Sequence, residues 1–393
     1  MRKQIGTRLL LILLTCAFSC SENGSVTGGG TDFPNTRTVA GVVLSSEGFP
    51  AKGVEVTAFN THHNPLHGSE DTYPAVTDSS GIFHLSLPER GEFNLMAKSG
   101  NGTMGFKNRT VSVWDSPDTV RLATPGCALV VVRGTGTRSV YIRGTGFVSQ
   151  VASGIATFDS LPAGTLPQIR TNGDASLSET LPVSSGEIST IADILFITGQ
   201  DKAGTEAGDV ELIGQLLKSG ARVSAAEQTE IDSGRIDGCD VICISSSADT
   251  SGLPHRLSTV AKPLLNFNPL LQPGLYMTDT AEHIDFGTEN NYFVVSLGEL
   301  PHPISAGIDR TVSLFRSPVR IDWGKPSADA EMIATLPGIV DQAVIYAYNS
   351  GARMVRTHAP AKRGFFPLRQ QYLSDVSVDG WRIVRRMIAW SVQ

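Results

Sequence analysis

The 393-residue sequence predicts a multidomain protein in which N-terminal β-sandwich modules precede a three-layer α/β domain with a mostly parallel sheet. Three observations predict it. The length suffices for two or three domains, each with its own core. Between about residues 38 and 190, short alternating apolar runs are separated by Gly, Pro, Asn and Asp, as antiparallel strands are. From about residue 191 onward, apolar runs alternate with helical periodicity, the pattern of βα units around a parallel sheet.

The N-terminus opens on Arg2, Lys3 and Arg8, then the unbroken apolar run Leu9-Leu10-Leu11-Ile12-Leu13-Leu14, then Ala17-Phe18-Ser19-Cys20. A positive start, a short apolar core and a small-residue cleavage site make residues 1–19 a signal peptide. The run is too short to remain as a span, which needs about 20 apolar residues. A Cys directly after Ala-Phe-Ser resembles the lipobox of bacterial lipoproteins, in which cleavage precedes a Cys carrying diacylglycerol. The resemblance implies lipidation of Cys20 and a membrane as partner, in the extracytoplasmic cell envelope. Ser21 in place of Asp implies sorting to the outer membrane of a Gram-negative cell. Several acyl chains make such attachment stable. Residues 20–37, with Gly28-Gly29-Gly30, read as a flexible tether.

Without Arg2, Lys3 and Arg8 the chain keeps 29 basic against 38 acidic side chains, a charge of −9, and no basic cluster stands out. That composition argues against a nucleic-acid partner. Beyond the signal peptide and Cys20, the thiols are Cys127, Cys239 and Cys243, an odd number that argues against a disulfide framework. Cys239 and Cys243 flank the apolar Val241-Ile242 and read as small buried hydrophobes.

Residues 38–123 form the first module. Val54, Val56 and Ala58 alternate onto one face, Asp78-Ser79-Ser80-Gly81 supplies a turn, and Phe83, Leu85 and Leu87 resume the alternation. Gly41-Val42-Val43, Gly48-Phe49-Pro50, the 53–58 run, the 77–85 run and Phe93-Asn94-Leu95 together resemble a carboxypeptidase regulatory-like domain. That resemblance implies an accessory β-sandwich without catalytic residues. Between its strands, His62, His63, His67, Glu70 and Asp71 match no metal-site spacing and read as an exposed polar loop.

Residues 124–190 form a second small β module. Gly134-Thr135-Gly136 is echoed by Gly144-Thr145-Gly146, yet neither opens a helix with a third glycine, so the pair reads as strand turns and not as phosphate loops. The sequence calls for no cofactor and no metal.

In residues 191–393, the run 193–199 reads as a buried strand and 209–220 as a helix ending at a glycine. Strands follow at 221–223, 239–244 and 263–267, and a closing helix carries Trp381, Val384 and Ile388 on one stripe. Residues 194–199 and 240–247, Lys262-Pro263-Leu264-Leu265, Leu300-Pro301-His302-Pro303-Ile304-Ser305-Ala306-Gly307, Trp323-Gly324 and Ala359-Pro360-Ala361-Lys362-Arg363 together resemble the class I glutamine amidotransferase-like superfamily, including its trehalose-utilisation-like branch. The resemblance implies a flavodoxin-like domain.

It also implies a nucleophile on an elbow after the Lys-Pro strand. That position is Asn268, flanked by Asn266 and Leu270 where the family has glycines. The family's Phe-His-Pro-Glu base signature corresponds here to Phe365-Phe366-Pro367-Leu368. Both the nucleophile and its base are therefore absent, against covalent acyl transfer.

Open α/β sheets bind ligands beyond their C-terminal strand ends. There Thr198, Gly199, Ser245, Ser246, Ser247 and Asn268 offer hydroxyls, an amide and backbone donors, and His302 offers an imidazole on a Pro-rich turn. The sequence favours a non-catalytic lipoprotein displaying this domain to a glycan or a cell-envelope protein. The alternative is a hydrolase acting on an extracellular saccharide or ester, which would bring Asp249, Glu289, His302 or His358 to the serines.

Overall fold

The computed structural model describes residues 36–68, 72–88, 91–111, 117–134, 136–199, 206–299 and 301–393, so that Cys20 and nearly all of the tether lie outside the described residues. Among the described residues strands dominate; of four α-helices, two span only five residues. No helix among them is long and apolar enough to cross a membrane.

In the first module, the strands Ile82–Pro88, Thr36–Leu44 and Asp118–Arg121 form one sheet. The strands Thr72–Val76, Glu55–Asn60, Gly91–Lys98 and Met104–Val111 form another. One core joins them: Val39, Phe83, Leu85 and Leu87 come from the first sheet, Val56, Ala58, Phe93 and Leu95 from the second. The turn before Ile82 is held by Asp78 Oδ1, which accepts from Ser80 N at 2.8 Å and Ile82 N at 2.9 Å. Gly81 closes it at φ +73°, where any Cβ would also lie 2.7 Å from Val43 O.

The second module is a seven-stranded sheet covered by the pair Gly164–Leu166 and Leu181–Val183. Its repeated Gly-Thr-Gly at 144–146 is a hairpin turn between Ser139–Ile142 and Val148–Ala152, with Thr145 Oγ1 donating to Ile142 O at 2.7 Å. Gly144 also docks on the first module: its N donates to His63 O and its O accepts from buried Asn94 Nδ2, each at 2.8 Å. His62 meets Arg143 Nη2 at 2.9 Å, so the imidazoles at 62 and 63 lie at a module junction. Glu70 and Asp71 lie outside the described residues.

Strands and helices of the third region are numbered within it. They are β1 (Asp193–Thr198), α1 (Ala207–Lys218), β2 (Arg222–Glu227), α2 (Ser233–Asp237), β3 (Val241–Ile244), α3 (Leu253–Leu257), β4 (Leu264–Asn266), β5 (Phe286–Tyr292), β6 (Val294–Leu297), β7 (Thr311–Ser313), β8 (Val319–Gly324), β9 (Glu331–Leu336), β10 (Ile339–Tyr348), β11 (Arg363–Phe365) and α4 (Val378–Val392). A parallel half runs β2-β1-β3-β4-β11. It continues antiparallel through β10, β9, β6 and β7, with β5 and β8 joined at β10.

The sheet is thus mixed, which corrects the expectation of a mostly parallel one. The antiparallel half arises because β9 returns as β10 through Pro337-Gly338, with Gly338 at φ +78°, a two-residue connection too short for a parallel crossover.

In the parallel half, side chains alternate between two cores. Phe196, Cys243 and Phe267 pack with Leu212 and Leu216 of α1 and with Val384 and Ile388 of α4. Ile197, Ile242 and Leu264 pack on the other face with Leu253 and Leu257 of α3. Burial on both faces explains why β3 is wholly apolar, and it pushes the Cys243 thiol far above its usual range. Ser377 caps α4, accepting from Gly380 N at 2.9 Å.

Candidate functional site

The C-terminal ends of β1, β3 and β4 carry the polar residues expected there, and α1 and the 3-10 helix Gln370–Asp375 add two more. Asp209, in the first turn of α1, is fully buried. Its carboxylate accepts from Ser245 Oγ, from Gln370 Nε2 at 2.5 Å and from Ser247 Oγ at 2.8 Å. Ser245 Oγ in turn accepts from Gln370 Nε2 at 2.8 Å and Ser247 N at 3.0 Å, while Ser247 Oγ accepts from Gly199 N at 3.2 Å. A hydroxyl has one donor and two lone pairs, so Ser245 has no capacity left for a ligand.

Thr198 is buried, and its Oγ1 reaches Ala226 O at 3.4 Å. Of the three serines, Ser246 alone keeps an unspent hydroxyl, and that oxygen is buried. The expected strand-end residues Thr198, Gly199, Ser245 and Ser247 thus engage one another and Asp209, while Ser246 Oγ and Gln370 Oε1 are buried without a hydrogen bond. A buried hydroxyl or amide left without a partner costs about 1–3 kcal/mol, which is why most groups this close bond one another.

Asn268 is 3% exposed. Its Nδ2 donates to Ala248 O at 2.7 Å and its Oδ1 accepts from Leu270 N at 3.0 Å, capping the 3-10 turn Pro269–Leu271. Its backbone sits at φ −98°, ψ 112°, an ordinary extended conformation and not a strained elbow. Both ends of its amide are thus bonded within the protein.

His302 lies elsewhere. Nδ1 accepts from Ile304 N at 3.1 Å, Nε2 is 2.7 Å from Glu331 Oε2, and the ring is 5.9 Å from that of Trp390. Lys362, just before β11, donates to Trp390 O at 2.8 Å, so this group gathers at the N-terminal end of the parallel strands, opposite the serines. Burial pulls the His302 imidazole below its ordinary range while Glu331 pulls the other way. In this arrangement His302 fastens the Pro-rich turn, away from the other expected ligand residues.

No hydrogen bond joins Asp249, Glu289, His302 or His358 to the serines among the described residues. Asp249 instead holds Gln228 at 3.1 Å. Asp209 and Gln370 are the residues sequence reasoning missed. The available signals were an acidic side chain in the first turn of the helix after β1, where the dipole favours it, and an amide just beyond Phe366-Pro367. Nearby, Arg369 forks onto buried Asp322 at 2.6 and 2.7 Å, and Thr288 Oγ1 donates to the same carboxylate at 2.6 Å. Among the described residues no group of three His, Cys, Asp or Glu side chains is arranged to hold a metal.

No family model matches the chain, and no curated protein matches it in sequence. Among solved structures it is similar to a Thermoplasma acidophilum protein assigned as part of a GMP synthase, at 13% identity and a TM-score of 0.35, over 50% of this chain and 93% of that one. It is similar to a glutamine amidotransferase from Thermotoga maritima at 6% identity and a TM-score of 0.33, over 51% and 98%. A streptococcal ancillary pilin matches at 14% identity and a TM-score of 0.18, with this chain spanning 62% of its length. The likeness to glutamine amidotransferase-like proteins is weak and structural.

Proposed function

We propose that the chain is a lipoprotein held through Cys20 on the outer membrane of a Gram-negative cell. Its carboxypeptidase regulatory-like module and second β module are spacers. They present a flavodoxin-like, amidotransferase-related domain that binds a glycan or a cell-envelope partner and performs no covalent chemistry. The observation that carries this reading is Asn268: at the nucleophile position it is buried, unstrained and bonded at both ends of its amide.

The hydrolase reading draws on the contact between Ser245 and Asp209. It lacks an imidazole, and the lone pairs of Ser245 Oγ already accept from Gln370 and Ser247. A nucleophile needs a free lone pair and access to substrate.

Two assays test the proposal. The soluble chain from residue 32 onward should release no product from a panel of esters and saccharides. Turnover abolished by Ser245→Ala would establish the hydrolase instead. In cells, Cys20→Ala should move the protein out of the membrane fraction, and a variant that stays there as fully as the parent removes Cys20 as the anchor.

A further inference from the structure

A second polar region of the same domain has the opposite character. Between α1 and α4 lies a cleft of about 490 Å³, lined by Glu211, Gln215, Arg316, Ser374, Val378, Trp381 and Arg385. It continues past Gln215 and Arg385 into a smaller space of about 150 Å³ against Ser184, Glu187 and Ser189 of the second β module. The larger volume falls within the roughly 300–1,000 Å³ typical of ligand pockets.

Apart from Gln215 and Glu211, which bond each other, its polar groups are not spent within the cleft. Arg316 is exposed and its guanidinium has no partner among the described residues; the neighbouring Asp375 accepts from Ser317 Oγ at 2.6 Å through Oδ2. Arg385 has one ionic contact, Nη2 to Glu187 Oε2 at 3.3 Å, and its Nε is buried without a hydrogen bond. The Ser374 side chain is exposed and makes no hydrogen bond among the described residues. Glu211 accepts from Gln215 at 2.9 Å and retains its second oxygen.

Val378 is 69% exposed beside these groups, while Trp381, 7% exposed, forms the floor of the cleft. The first turn of the 15-residue α4 adds partial positive charge at the same place. A guanidinium fork recognises a carboxylate, and carboxylate and hydroxyl groups recognise sugar hydroxyls.

We infer that this cleft binds a carboxylated saccharide of the uronic-acid class, with Arg316 as its principal charge contact. The inference deepens the binding reading above by assigning it a place and a ligand class.

The test is calorimetric titration of the full chain in detergent with digalacturonic acid, against maltose as a neutral disaccharide and an N-acetylated dipeptide as a non-sugar carboxylate. Digalacturonate should bind saturably, and Arg316→Ala, which removes a guanidinium with no partner among the described residues, should weaken it about tenfold or more. Maltose and the dipeptide should each bind at least about tenfold more weakly. Arg133→Ala, at a separate surface ion pair, should leave binding unchanged. Absence of saturable heat with digalacturonate, equal affinity in Arg316→Ala, or equal binding of either control overturns the inference. Reducing ends counted in the same samples keep the two readings apart: hydrolysis would sink the non-catalytic proposal, and loss of Arg316 dependence would sink the cleft.

Discussion

The strand-end cluster and the α1–α4 cleft belong to one domain and contain similar polar residues, yet they differ in what those residues do. At the strand ends, Asp209 collects three side-chain donors and Ser245 exhausts its hydroxyl on Gln370 and Ser247. In the cleft, the side chains of Arg316 and Ser374 make no hydrogen bond or ion pair among the described residues. The difference teaches that residue type alone does not mark a binding site. A buried network in low dielectric satisfies most of its own groups, leaving here only Ser246 Oγ, Asn266 Nδ2 and Gln370 Oε1 without a partner, whereas the cleft keeps unspent groups at an accessible surface.

The largest expected effect comes from emptying the hub of the closed region. Asp209→Ala leaves Ser245, Ser247 and Gln370 facing a buried void and should cost about 3–5 kcal/mol of unfolding free energy. Denaturant melts returning less than about 1 kcal/mol would mean that the network is not closed. Next, Gly208→Ala places a Cβ 2.7 Å from Gln370 O and closer still to its Oε1, so α1 must move off the 370–375 turn. A loss of about 1–3 kcal/mol is expected, with sugar binding in the cleft retained.

A smaller effect concerns pH. Since Nδ1 of His302 must stay unprotonated to accept from Ile304 N, and burial depresses the imidazole, the unfolded chain takes up the proton first as pH falls below about 6.5. Stability contributed by this residue is therefore complete above that pH and lost as pH falls through the depressed folded value. Thermal midpoints between about pH 7 and 5 should fall less steeply in His302→Gln; an unchanged slope would remove His302 as the titrating group. The smallest effect is expected for Arg133, which bridges Asp240 at 2.8 Å and Asp193 at 3.1 Å from an exposed position. Its replacement by Ala should change stability by no more than about 1 kcal/mol, and less in high salt.

The first module was the most legible in the sequence, because a period of two is a local signal. Val54, Val56 and Ala58, and then Phe83, Leu85 and Leu87, alternate into the core as their spacing predicts. β1 and β3 were legible as unbroken apolar runs and α4 by a stripe of helical period, which are local signals too. The antiparallel half escaped: pairing of β9 with β10 is interrupted by register shifts at Met332/Ala334 and on to Leu336, which scramble the alternation a reader would look for. The site was legible only as a set of residue types. Ser245, Ser247 and Gly199 do meet at the strand ends, but their partners Asp209 and Gln370 are separated by 161 positions, and no local pattern announces that contact. Arg316 left no signal either, since its significance is the absence of a partner among the described residues.

One titration separates the two regions directly. Digalacturonate added to the isotopically labelled soluble chain should shift the Trp381 indole and Arg316 amide resonances, while the Gly199, Ser245, Ser247 and Asn268 amides stay in place. Shifts at those four positions with Trp381 and Arg316 unmoved would return the ligand to the strand ends and contradict the account of a closed network there.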